Sequence, residues 1–567
     1  MDTRQIFELW LERATDDPDL IKELKSIKDN DDEIYDRFYR ELEFGTAGLR
    51  GILGAGTNRM NVYTVRKATQ GLADYVLSNG GNSVAIAYDS RIKSTLFARE
   101  AARVLAANGI KVFIYKELMP TPMLSFAVRR LSCASGIVVT ASHNPAKYNG
   151  YKAYGPDGCQ LSVENSARVL NFVNKVDMFT GAKLCDYEQA LHDGLIEYIP
   201  DGIIEEYLNI VASRSVEKVT CDLKVIYTPL NGTGNKPVRT ILKKIGIHDV
   251  TVVPEQEHPD GNFPTAPFPN PEIRQAFECA IKLAQNHPAD LLLATDPDCD
   301  RVGIAVKTDN GYELMSGNEV GALLLDYILS RRQANGTLPK NPVAVKTIVS
   351  TPLADKIAKK YGCQIIDVLT GFKYIGEQAG LLEAKGEENR FVFGFEESYG
   401  YLAGTYVRDK DAVVASMLIC EMTAYYKTRD KTLPQVLDSL YQEHGMVFTS
   451  QNSFTFEGAS GMKKMSDIME TLRKDPPKKI GRNPVLFISD FETSQRTDLR
   501  TNVKDPITLP KSNVLYYTLD DEGSNLIVRP SGTEPKIKVY ITSVAPQKNT
   551  ARENADLWLA DIAKRFE

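Results

Sequence analysis

The feature that most constrains the fold is an alternation of short apolar runs with amphipathic stretches. Residues 83–88, 110–115 and 136–140 are apolar and rich in β-branched side chains, which predicts buried strands. Between the first two runs, residues 94–108 show helical periodicity and end at Gly109, a residue typical of helix C-termini. This part of the chain therefore predicts strands connected by a helix.

The same order recurs twice further along the chain. An apolar run, a helical stretch and a second apolar run occupy residues 223–253 and again residues 343–368. Strands that alternate with helices are typical of α/β domains. The sequence therefore predicts three α/β units of similar layout.

The last part of the chain has a different pattern. Residues 514–519, 525–529 and 537–542 predict strands of hairpin type, and residues 549–565 predict a closing helix. Strands grouped together before a helix are typical of an α+β domain.

Turn-rich segments at 199–203, 309–311 and 444–457 predict the seams between domains. A chain of 567 residues is also too long for one hydrophobic core. The predicted domains are 1–204, 205–310, 311–445 and 446–567.

Composition excludes several classes of function. A net charge of −6 argues against a nucleic-acid-binding surface. No stretch reaches the roughly 18 apolar residues of a membrane span, and the N-terminus lacks the apolar core of a signal peptide. The eight cysteines form no C-x-x-C pair, which is typical of reduced thiols. We therefore expect a cytoplasmic protein.

The run 136–140 leads directly into Ser142-His143-Asn144-Pro145, and Lys152 follows. A hydroxyl at a strand end is accessible to a substrate and can carry a covalent group. Serine, asparagine and proline are also common in turns and helix caps, so Ser142 alone is also interpretable as a turn residue. Three further constellations favour the nucleophile.

The first constellation is Asp296-Pro-Asp298-Cys-Asp300-Arg301, which follows an apolar run. Alternate carboxylates in a tight loop can converge on a hard cation such as Mg²⁺. An EF-hand is excluded because its glycine and glutamate positions hold Arg301 and Lys307. A solvated acidic turn is the alternative.

The second constellation is an anion-binding loop near the C-terminus. It offers a guanidinium, two hydroxyls and backbone N–H groups, which suit a phosphate. Its residues are Arg529, Ser531, Gly532 and Thr533. A plain hairpin turn is the alternative.

The third constellation is Glu396-Glu397-Ser398 in a glycine-flanked turn. Carboxylates accept hydrogen bonds from sugar hydroxyls, although a solvated acidic turn would have the same residues. The charged segment 408–411 downstream is interpretable either as a surface face or as part of the same pocket.

Taken together, these segments resemble the α-D-phosphohexomutase superfamily, the phosphoserine-type phosphoglucomutases and phosphomannomutases. The resemblance covers essentially the whole chain and is closest to the larger phosphoglucomutase branch, which also contains phosphopentomutases. The matching segments are 140–145 (phosphoserine loop), 296–301 (metal loop), 394–398 (sugar-binding loop), 529–533 (distal phosphate loop), 44–51 (N-terminal glycine-arginine element) and 370–373 (third-domain substrate contact).

The resemblance implies three similar α/β domains with mixed sheets sandwiched by helices, plus a C-terminal α+β domain, around a central active-site cleft. It implies an isomerase that interconverts glucose 1-phosphate and glucose 6-phosphate. The enzyme would use Mg²⁺, a phosphoserine, and glucose 1,6-bisphosphate as intermediate and activator. Pentose and mannose phosphates are the alternative substrates. A small sugar phosphate is the expected partner, with neither nucleic acid nor membrane.

The resemblance also implies a role for each matching residue. Ser142 would carry the phosphoryl group beside a metal ion bound by Ser142 and the three aspartates. The remaining expected site residues are Arg50 and Arg301 for charge, His143 and Lys152 for the proton, Glu396, Ser398, Thr370, Gly371 and Lys373 for the sugar, and Arg529, Ser531, Gly532 and Thr533 for the distal phosphate.

One position departs from the family pattern. Some members have a histidine two residues after the serine of the sugar-binding loop, and here that position is Gly400. Proton transfer in that half-reaction would then fall to another group, for which Lys410 is the candidate.

Two rival hypotheses remain open from the sequence. Asp296-x-Asp298 after an apolar run also resembles the motif of phosphotransferases that use an aspartate nucleophile. A sugar-phosphate-binding protein without catalysis is the second rival.

Overall fold

A computed structural model of the chain describes residues 2–45, 48–456, 461–531 and 536–566. It contains two compact units. The first comprises Met1–Gly317 and Phe372–Asp430, and the second comprises Asn318–Gly371 and Lys431–Glu567.

The strands carry most of the predicted pattern. In chain order they are β1 (Leu49–Ile52), β2 (Ser83–Tyr88), β3 (Lys111–Ile114), β4 (Ser135–Val139), β5 (Tyr148–Tyr154), β6 (Ile196–Tyr198), β7 (Val225–Thr228), β8 (Val250–Val252), β9 (Leu291–Thr295), β10 (Val302–Thr308), β11 (Gly311–Met315), β12 (Val343–Thr347), β13 (Gln364–Val368), β14 (Phe391–Glu396), β15 (Gly400–Leu402), β16 (Met446–Thr455), β17 (Lys479–Ile480), β18 (Asn483–Pro484), β19 (Phe487–Asp490), β20 (Gln495–Asp498), β21 (Lys504–Pro506), β22 (Leu515–Thr518), β23 (Asn525–Pro530) and β24 (Lys536–Ala545).

The helices alternate with these strands through most of the first unit. In chain order they are α1 (Thr3–Arg13), α2 (Pro18–Ser26), α3 (Asp31–Phe38), α4 (Val62–Ser78), α5 (Ser94–Ala107), α6 (Thr121–Arg130), α7 (Val163–Val173), α8 (Tyr187–His192), α9 (Asp201–Ala212), α10 (Asn235–Lys244), α11 (Pro254–Glu257), α12 (Glu278–Asn286), α13 (Gly317–Ala334), α14 (Leu353–Lys360), α15 (Phe372–Glu383), α16 (Ala412–Lys427), α17 (Leu433–His444), α18 (Gly461–Lys474) and α19 (Lys548–Ala563).

The first sheet of the first unit has six strands in the order β1-β5-β4-β2-β3-β6. Strand β2 is parallel to β4 and β3, and β3 is parallel to β6, whereas β5 is antiparallel to both β4 and β1. The three predicted strands and the helix between them are β2, β3, β4 and α5, and all four predictions are confirmed. Every residue of β2 and β4 is buried, as expected for central parallel strands.

The second sheet has five strands in the order β11-β10-β9-β7-β8 and is also mixed. Strand β7 is parallel to β8 and β9, and β9 is antiparallel to β10. Strands β10 and β11 pair in antiparallel register, with Thr308 opposite Gly311. The turn-rich segment 309–311, where the sequence predicts a boundary between domains, therefore forms the turn of this hairpin.

The remaining part of the first unit contains the hairpin of β14 and β15 with helices α15 and α16. Helix α16 packs against β15 and also against β9 of the second sheet. The C-terminal ends of β4, β9 and β14 therefore all belong to the first unit.

The second unit contains the parallel pair β12 and β13, as predicted, and a seven-stranded antiparallel sheet. The order in that sheet is β16-β24-β23-β22-β19-β20-β21, and α19 packs against β24 and β16. The predicted C-terminal strands and closing helix are confirmed as β22, β23, β24 and α19. Strands β16–β21 were not predicted, because they are short or lack a continuous apolar run.

Three N-terminal helices precede the first sheet and were not predicted as helices. Asp2, Asp17 and Asn30 cap them by accepting hydrogen bonds from backbone N–H groups in the first turn. Their apolar side chains, among them Trp10 and Phe38, form edge-to-face contacts within the core of the first sheet. None of the described helices combines the length and apolar character that a membrane span requires.

Candidate active site

Ser142 lies in the turn that follows β4, and it is buried. Its φ of 52° is in the left-handed region, which a non-glycine residue adopts only when its surroundings hold it there. The Ser142 N–H donates to Thr140 Oγ1 at 2.8 Å, and the Thr140 hydroxyl donates to Asp89 Oδ2 at 2.6 Å. No helix begins at Ser142, so the helix-cap interpretation is wrong. The interpretation as a turn residue is correct, and in this turn the Ser142 hydroxyl contacts Asp296 Oδ2.

The three loop aspartates converge beside this hydroxyl. Asp296, Asp298 and Asp300 are all buried, and each contributes one carboxylate oxygen to a group that lies within 4.8 Å. The Ser142 hydroxyl donates to Asp296 Oδ2 at 2.8 Å, across 154 residues of sequence. The loop after β4 and the loop after β9 therefore form one site.

This carboxylate cluster fits a hard cation. Within the part of the chain that the structure describes, Asp298 Oδ1 and Asp300 Oδ1 are buried and accept no hydrogen bond. Burial, together with the charges of Asp298 and Asp300, raises the pKa of Asp296 well above its ordinary value. The interpretation as a solvated acidic turn is wrong, because none of the three carboxylates reaches solvent appreciably.

Lys152 extends from β5 into the same cluster. Its ammonium donates to Asp298 Oδ2 at 2.8 Å and lies 3.4 Å from Asp300 Oδ2. Burial by itself would lower the pKa of Lys152, but the two carboxylates outweigh it and the pKa is raised. Burial would raise the pKa of Asp298, but the same ammonium, together with hydrogen bonds from Asp296 and Thr121, outweighs it, and the pKa falls below its ordinary value. The ammonium form of Lys152 is therefore favoured in this arrangement.

His143 lies next to the serine, with Nδ1 3.2 Å from Ser142 Oγ. Part of its side chain reaches the surface, yet its surroundings are mostly protein. Burial and the charges of Arg301 and Arg50 lower the pKa of His143 well below its ordinary value. The imidazole is therefore neutral near pH 7.

Two arginines lie close to the Ser142 loop, and the charges of both act on His143. Arg50, on β1, is exposed and donates to Asn144 Oδ1 at 3.2 Å. Arg301, at the end of the metal loop, donates to Glu272 Oε1 at 2.7 Å. Both predicted charge-carrying residues are thus in the neighbourhood of the site.

The predicted sugar-binding loop lies beside the predicted metal loop. Glu396, the last residue of β14, is buried. The Ser398 side chain donates a hydrogen bond to the Glu396 carboxylate. Burial raises the pKa of Glu396, against the opposing charges of Lys410 and Arg301. The backbones of Arg301 and Gly400 form an antiparallel bridge, which connects the two loops directly.

Lys410 occupies the space that a side chain at position 400 would fill. A Cβ on Gly400 would lie 2.3 Å from Lys410 Cδ and 2.9 Å from Glu396 Oε1. The Lys410 ammonium lies 3.1 Å from Asp300 Oδ2 and 3.0 Å from Asp409 Oδ1. The whole segment 408–411 is buried, so its interpretation as a surface face is wrong, and Lys410 within it lies beside Glu396 and Asp300.

The remaining predicted residues divide between the two units. Lys373, in the first unit, is half-buried, and burial lowers its pKa. Thr370, Gly371, Arg529 and Ser531 belong to the second unit and are half-buried, while Gly532 and Thr533 lie outside the described residues.

In the second unit the loop of the predicted anion site joins neighbouring strands. Arg529 is opposite Lys538 in the pairing of β23 with β24, and the Ser531 N–H donates to Lys536 O at 2.7 Å. The pairing of β23 with β24 agrees with the hairpin alternative, and the turn itself, residues 532–535, lies outside the described residues.

Sequence reasoning missed several residues that support the site. Thr121, the first residue of α6, donates through its hydroxyl to Asp298 Oδ2 at 2.8 Å and through its N–H to Asp298 O at 2.9 Å. Asp89 and Arg91 follow the buried strand β2 and contact the Ser142 loop. The sequence could have indicated Asp89 and Arg91, because they are charged residues directly after a buried strand. The same pattern predicted the metal loop.

Comparison with known families gives three successive matches. The α/β/α domains I, II and III of phosphoglucomutase/phosphomannomutase match residues 41–179, 204–311 and 316–444. The three predicted α/β domains are thereby confirmed, with a C-terminal β-rich domain after them.

Individual relatives match over nearly the whole chain. A phosphoglucomutase of Staphylococcus aureus (strain bovine RF122 / ET3-1) is 38% identical over 541 residues, which are 95% of this chain and 96% of the relative. The structure of pp63/parafusin from Paramecium, in its open form, has a TM-score of 0.69 at 18% identity, covering 93% of this chain and 96% of that one.

A more distant structure has the same fold. N-acetylphosphoglucosamine mutase of Aspergillus fumigatus, solved with GlcNAc-6P and magnesium, has a TM-score of 0.51 at 15% identity, covering 97% of this chain and all of the other. The buried serine, the carboxylate cluster and these matches lead to one conclusion: the chain belongs to the phosphoglucomutase/phosphomannomutase family of phosphohexomutase isomerases.

Proposed function

We propose that this protein is a phosphoglucomutase, which interconverts glucose 1-phosphate and glucose 6-phosphate through a phosphoserine at Ser142 and a glucose 1,6-bisphosphate intermediate. The observation that carries the proposal is the 2.8 Å contact of Ser142 Oγ with Asp296 Oδ2 inside a cluster of three buried carboxylates. Staphylococcal relatives with 37–39% identity bear the name phosphoglucomutase, which favours glucose as the sugar.

The proposed cofactor is Mg²⁺, held by Asp296, Asp298, Asp300 and an oxygen on Ser142. All-oxygen ligation by carboxylates suits this ion, and the Aspergillus relative was solved with magnesium. When bound, the ion would neutralise negative charge on the transferring phosphoryl group.

In the proposed cycle, the bond between phosphorus and Ser142 Oγ breaks as a bond from phosphorus to the free sugar hydroxyl forms. The proton of the sugar hydroxyl passes to the protein, and a proton from the protein passes to Ser142 Oγ as the bond to phosphorus breaks. His143 and Lys152 are the candidates for moving this proton, since both lie at the serine or its carboxylate partners. Because the ammonium form of Lys152 is favoured, Lys152 accepts this proton only after losing its own, whereas the neutral imidazole of His143 accepts it directly. The bisphosphate then turns, the bond between its other phosphorus and the sugar oxygen breaks as a bond to Ser142 Oγ forms, and the Ser142 hydroxyl proton passes to that sugar oxygen.

We propose that Arg50 and Arg301 stabilise the negative charge on the transferring phosphoryl group. Phosphoryl transfer depends mainly on positioning the reacting groups and neutralising this charge. Lys410 is the proposed replacement for the sugar-loop histidine found in some relatives, since it fills the volume next to Gly400. The proposed substrate contacts are Glu396, Ser398, Thr370, Gly371 and Lys373 for the sugar and Arg529, Ser531, Gly532 and Thr533 for the distal phosphate.

We also propose the domain boundaries 1–204, 205–310, 311–445 and 446–567, and a cytoplasmic location. The location agrees with eight cysteines that are all unpaired thiols. The proposed partner is a small sugar phosphate, and the Aspergillus relative was solved with one.

Labelling of the wild-type protein, together with the kinetics of Ser142→Ala, tests the proposal against an aspartate nucleophile and against a non-catalytic protein. Wild-type protein is incubated with Mg²⁺ and glucose 1,6-bisphosphate labelled in both phosphates, digested and mapped by mass spectrometry. We expect label on the peptide containing Ser142 and a loss of at least about 1,000-fold in kcat for the variant. Retained activity with label on Asp296 would support the rival nucleophile, and a wild type without turnover would support the non-catalytic rival.

The choice of sugar has its own measurement. Values of kcat/KM for glucose 1-phosphate, mannose 1-phosphate and ribose 1-phosphate are compared under identical conditions. A higher kcat/KM for ribose 1-phosphate or mannose 1-phosphate would identify that sugar phosphate as the preferred substrate in place of glucose 1-phosphate. The proposed phosphoserine mechanism would be unchanged.

A further inference from the structure

We propose that Arg91, held by Asp89, is a positioning residue that sets the conformation of the Ser142 loop and its distance from the carboxylate cluster. The inference rests on the proposed function, since it assigns a role in phosphoryl transfer through Ser142. Its basis is one guanidinium that contacts four backbone carbonyl oxygens of the Ser142 loop and also a loop of the next α/β segment.

The Arg91 guanidinium is completely enclosed. Its Nη1 donates to Pro145 O and Tyr148 O, both at 3.0 Å. Its Nη2 donates to Ser142 O at 2.5 Å and to Asn144 O. A planar guanidinium has five N–H donors in a fixed geometry, and neither a lysine nor a neutral side chain could make all four bonds.

Asp89 connects Arg91 to the other end of the same loop. Asp89 Oδ2 lies 3.3 Å from Arg91 Nε and accepts from the Thr140 hydroxyl at 2.6 Å. Asp89 Oδ1 accepts from the Arg91 N–H at 2.9 Å and from Ser94 Oγ at 2.8 Å. Because Thr140 in turn accepts from the Ser142 N–H, the pair restrains the serine from both sides.

Arg91 also contacts the segment that precedes the metal loop. Its guanidinium carbon lies 5.0 Å from the centre of the Phe263 ring, a cation–π distance. A Cβ on Gly261 would lie only 2.5 Å from the Ile92 N, so the two backbones touch at this point. Arg91 thus packs against both parts of the molecule that must meet for Ser142 Oγ to reach Asp296.

The contacts separate this role from a catalytic one. Arg91 donates to backbone oxygens of the loop, whereas the Ser142 hydroxyl contacts Asp296 and His143. Enclosing a guanidinium is costly, and it persists here because carbonyl oxygens and Asp89 surround it. We therefore expect that changing Arg91 alters how well the serine is placed and leaves the binding of the sugar largely intact.

The experiment compares Arg91→Lys and Arg91→Met with Arg66→Met. Arg66, on α4, is a matched control, since it is also buried in the first unit and pairs with Glu100 at 2.5 Å and with Asp16. For each variant, kcat and KM for glucose 1-phosphate, thermal unfolding, and hydrogen exchange of peptides covering residues 140–150 are measured.

We expect both Arg91 variants to lose about 100-fold in kcat, because misplacement of a reacting group by about 1 Å has that effect. Their KM should change by less than about threefold, and exchange of residues 140–150 should accelerate. Arg66→Met should lose thermal stability as well, yet keep its kcat and the exchange rate of that peptide. A purely structural role for Arg91 would not produce this separation.

The proposal is overturned if folded Arg91→Lys keeps kcat within about threefold of Arg66→Met, or if exchange of residues 140–150 is unchanged. Should Arg91→Met fail to fold, Arg91→Lys and Asp89→Asn decide the question. If wild-type protein shows no turnover and no label on Ser142, the proposed function fails, whereas hydrogen exchange still decides whether Arg91 holds the loop.

Discussion

At the scale of single residues, the Lys410 side chain fills the space that a side chain at position 400 would occupy. The glycine leaves a space that the lysine methylenes fill, and this places an ammonium between Asp300 and Asp409. A side chain at position 400 and the present position of Lys410 exclude each other. The absence of a Cβ at position 400 therefore permits the present position of Lys410.

We expect Gly400→Ala to lower kcat/KM by about tenfold or more, because the added methyl group would displace Lys410. Overpacking of this kind should also destabilise the fold by about 1–3 kcal/mol. Steady-state kinetics and thermal unfolding measure the two effects.

Gly202→Ala is the control for this substitution, because a Cβ at position 202 would meet no atom within 4 Å. Wild-type kinetics in Gly400→Ala would show that the position of Lys410 has no effect on the reaction.

At the scale of elements, the three candidate site loops of the first unit share a strained backbone. Ser142, Cys299 and Tyr399 have φ values of 52°, 52° and 64°, and each follows a buried strand by three or four residues. Left-handed conformations in non-glycine residues cost about 1–3 kcal/mol each and persist where the surroundings determine them. In these loops the surroundings are neighbouring loops, such as the bridge of Arg301 with Gly400.

Helices of the second unit contain a buried carboxyl outside the site. Asp326, on α13, accepts from the Tyr361 hydroxyl at 2.9 Å. Burial raises its pKa, and the opposing influences include the Tyr361 hydrogen bond and the charges of Lys360 and His444, whereas Glu443 adds to the rise.

We expect Asp326→Asn to increase the free energy of unfolding near pH 7. A raised pKa means that the folded state binds the Asp326 proton more tightly than the unfolded chain, so ionisation at higher pH costs stability. The amide keeps the acceptor for Tyr361 without a charge. The gain should shrink as the pH falls through the raised pKa towards the ordinary range of an aspartate, as urea unfolding at several pH values would show.

Asp438→Asn, an exposed change on α17 of the same unit, is the control. A gain for Asp326→Asn that does not vary with pH would contradict the assigned cause.

At the scale of the whole molecule, the serine, the carboxylate cluster, Glu396 and Lys410 all belong to the first unit, although they are far apart in sequence. A ligand that binds only the folded form of this unit stabilises it by mass action. Metal binding should therefore be measurable as a change in stability, independently of turnover.

We expect Mg²⁺ at 100 times its dissociation constant to stabilise the wild-type first unit by about 2.7 kcal/mol. Asp298→Asn should remove most of this gain and lower kcat strongly, because it removes a ligand and leaves Lys152 with a weaker partner. Thermal unfolding with Mg²⁺ or with EDTA measures the difference. Asp309→Asn, in the exposed turn before β11, should respond to Mg²⁺ as the wild type does. An equal gain in Asp298→Asn would show that the ion binds elsewhere.

The parallel strands and the chemical groups at their ends were predictable from the sequence. Continuous apolar runs such as 136–140 and 291–295 indicate buried strands, and polar residues directly after them indicate a site. The extra strands β16–β21 were not predictable, because half-buried antiparallel strands on an α+β sheet have weak periodicity.

The sequence by itself determined which groups are present and which local element carries each of them: a serine after one buried strand, alternating aspartates after another and a glutamate at the end of a third. Local periodicity and turn chemistry are properties of neighbouring residues, so they can be inferred from the sequence. Only the tertiary structure decided that Arg91 holds the serine loop, that Thr121 supports Asp298 and that Lys410 fills the space beside Gly400. Those contacts join residues that are far apart in the chain, and their distances depend on how sheets and loops pack, which no local pattern encodes.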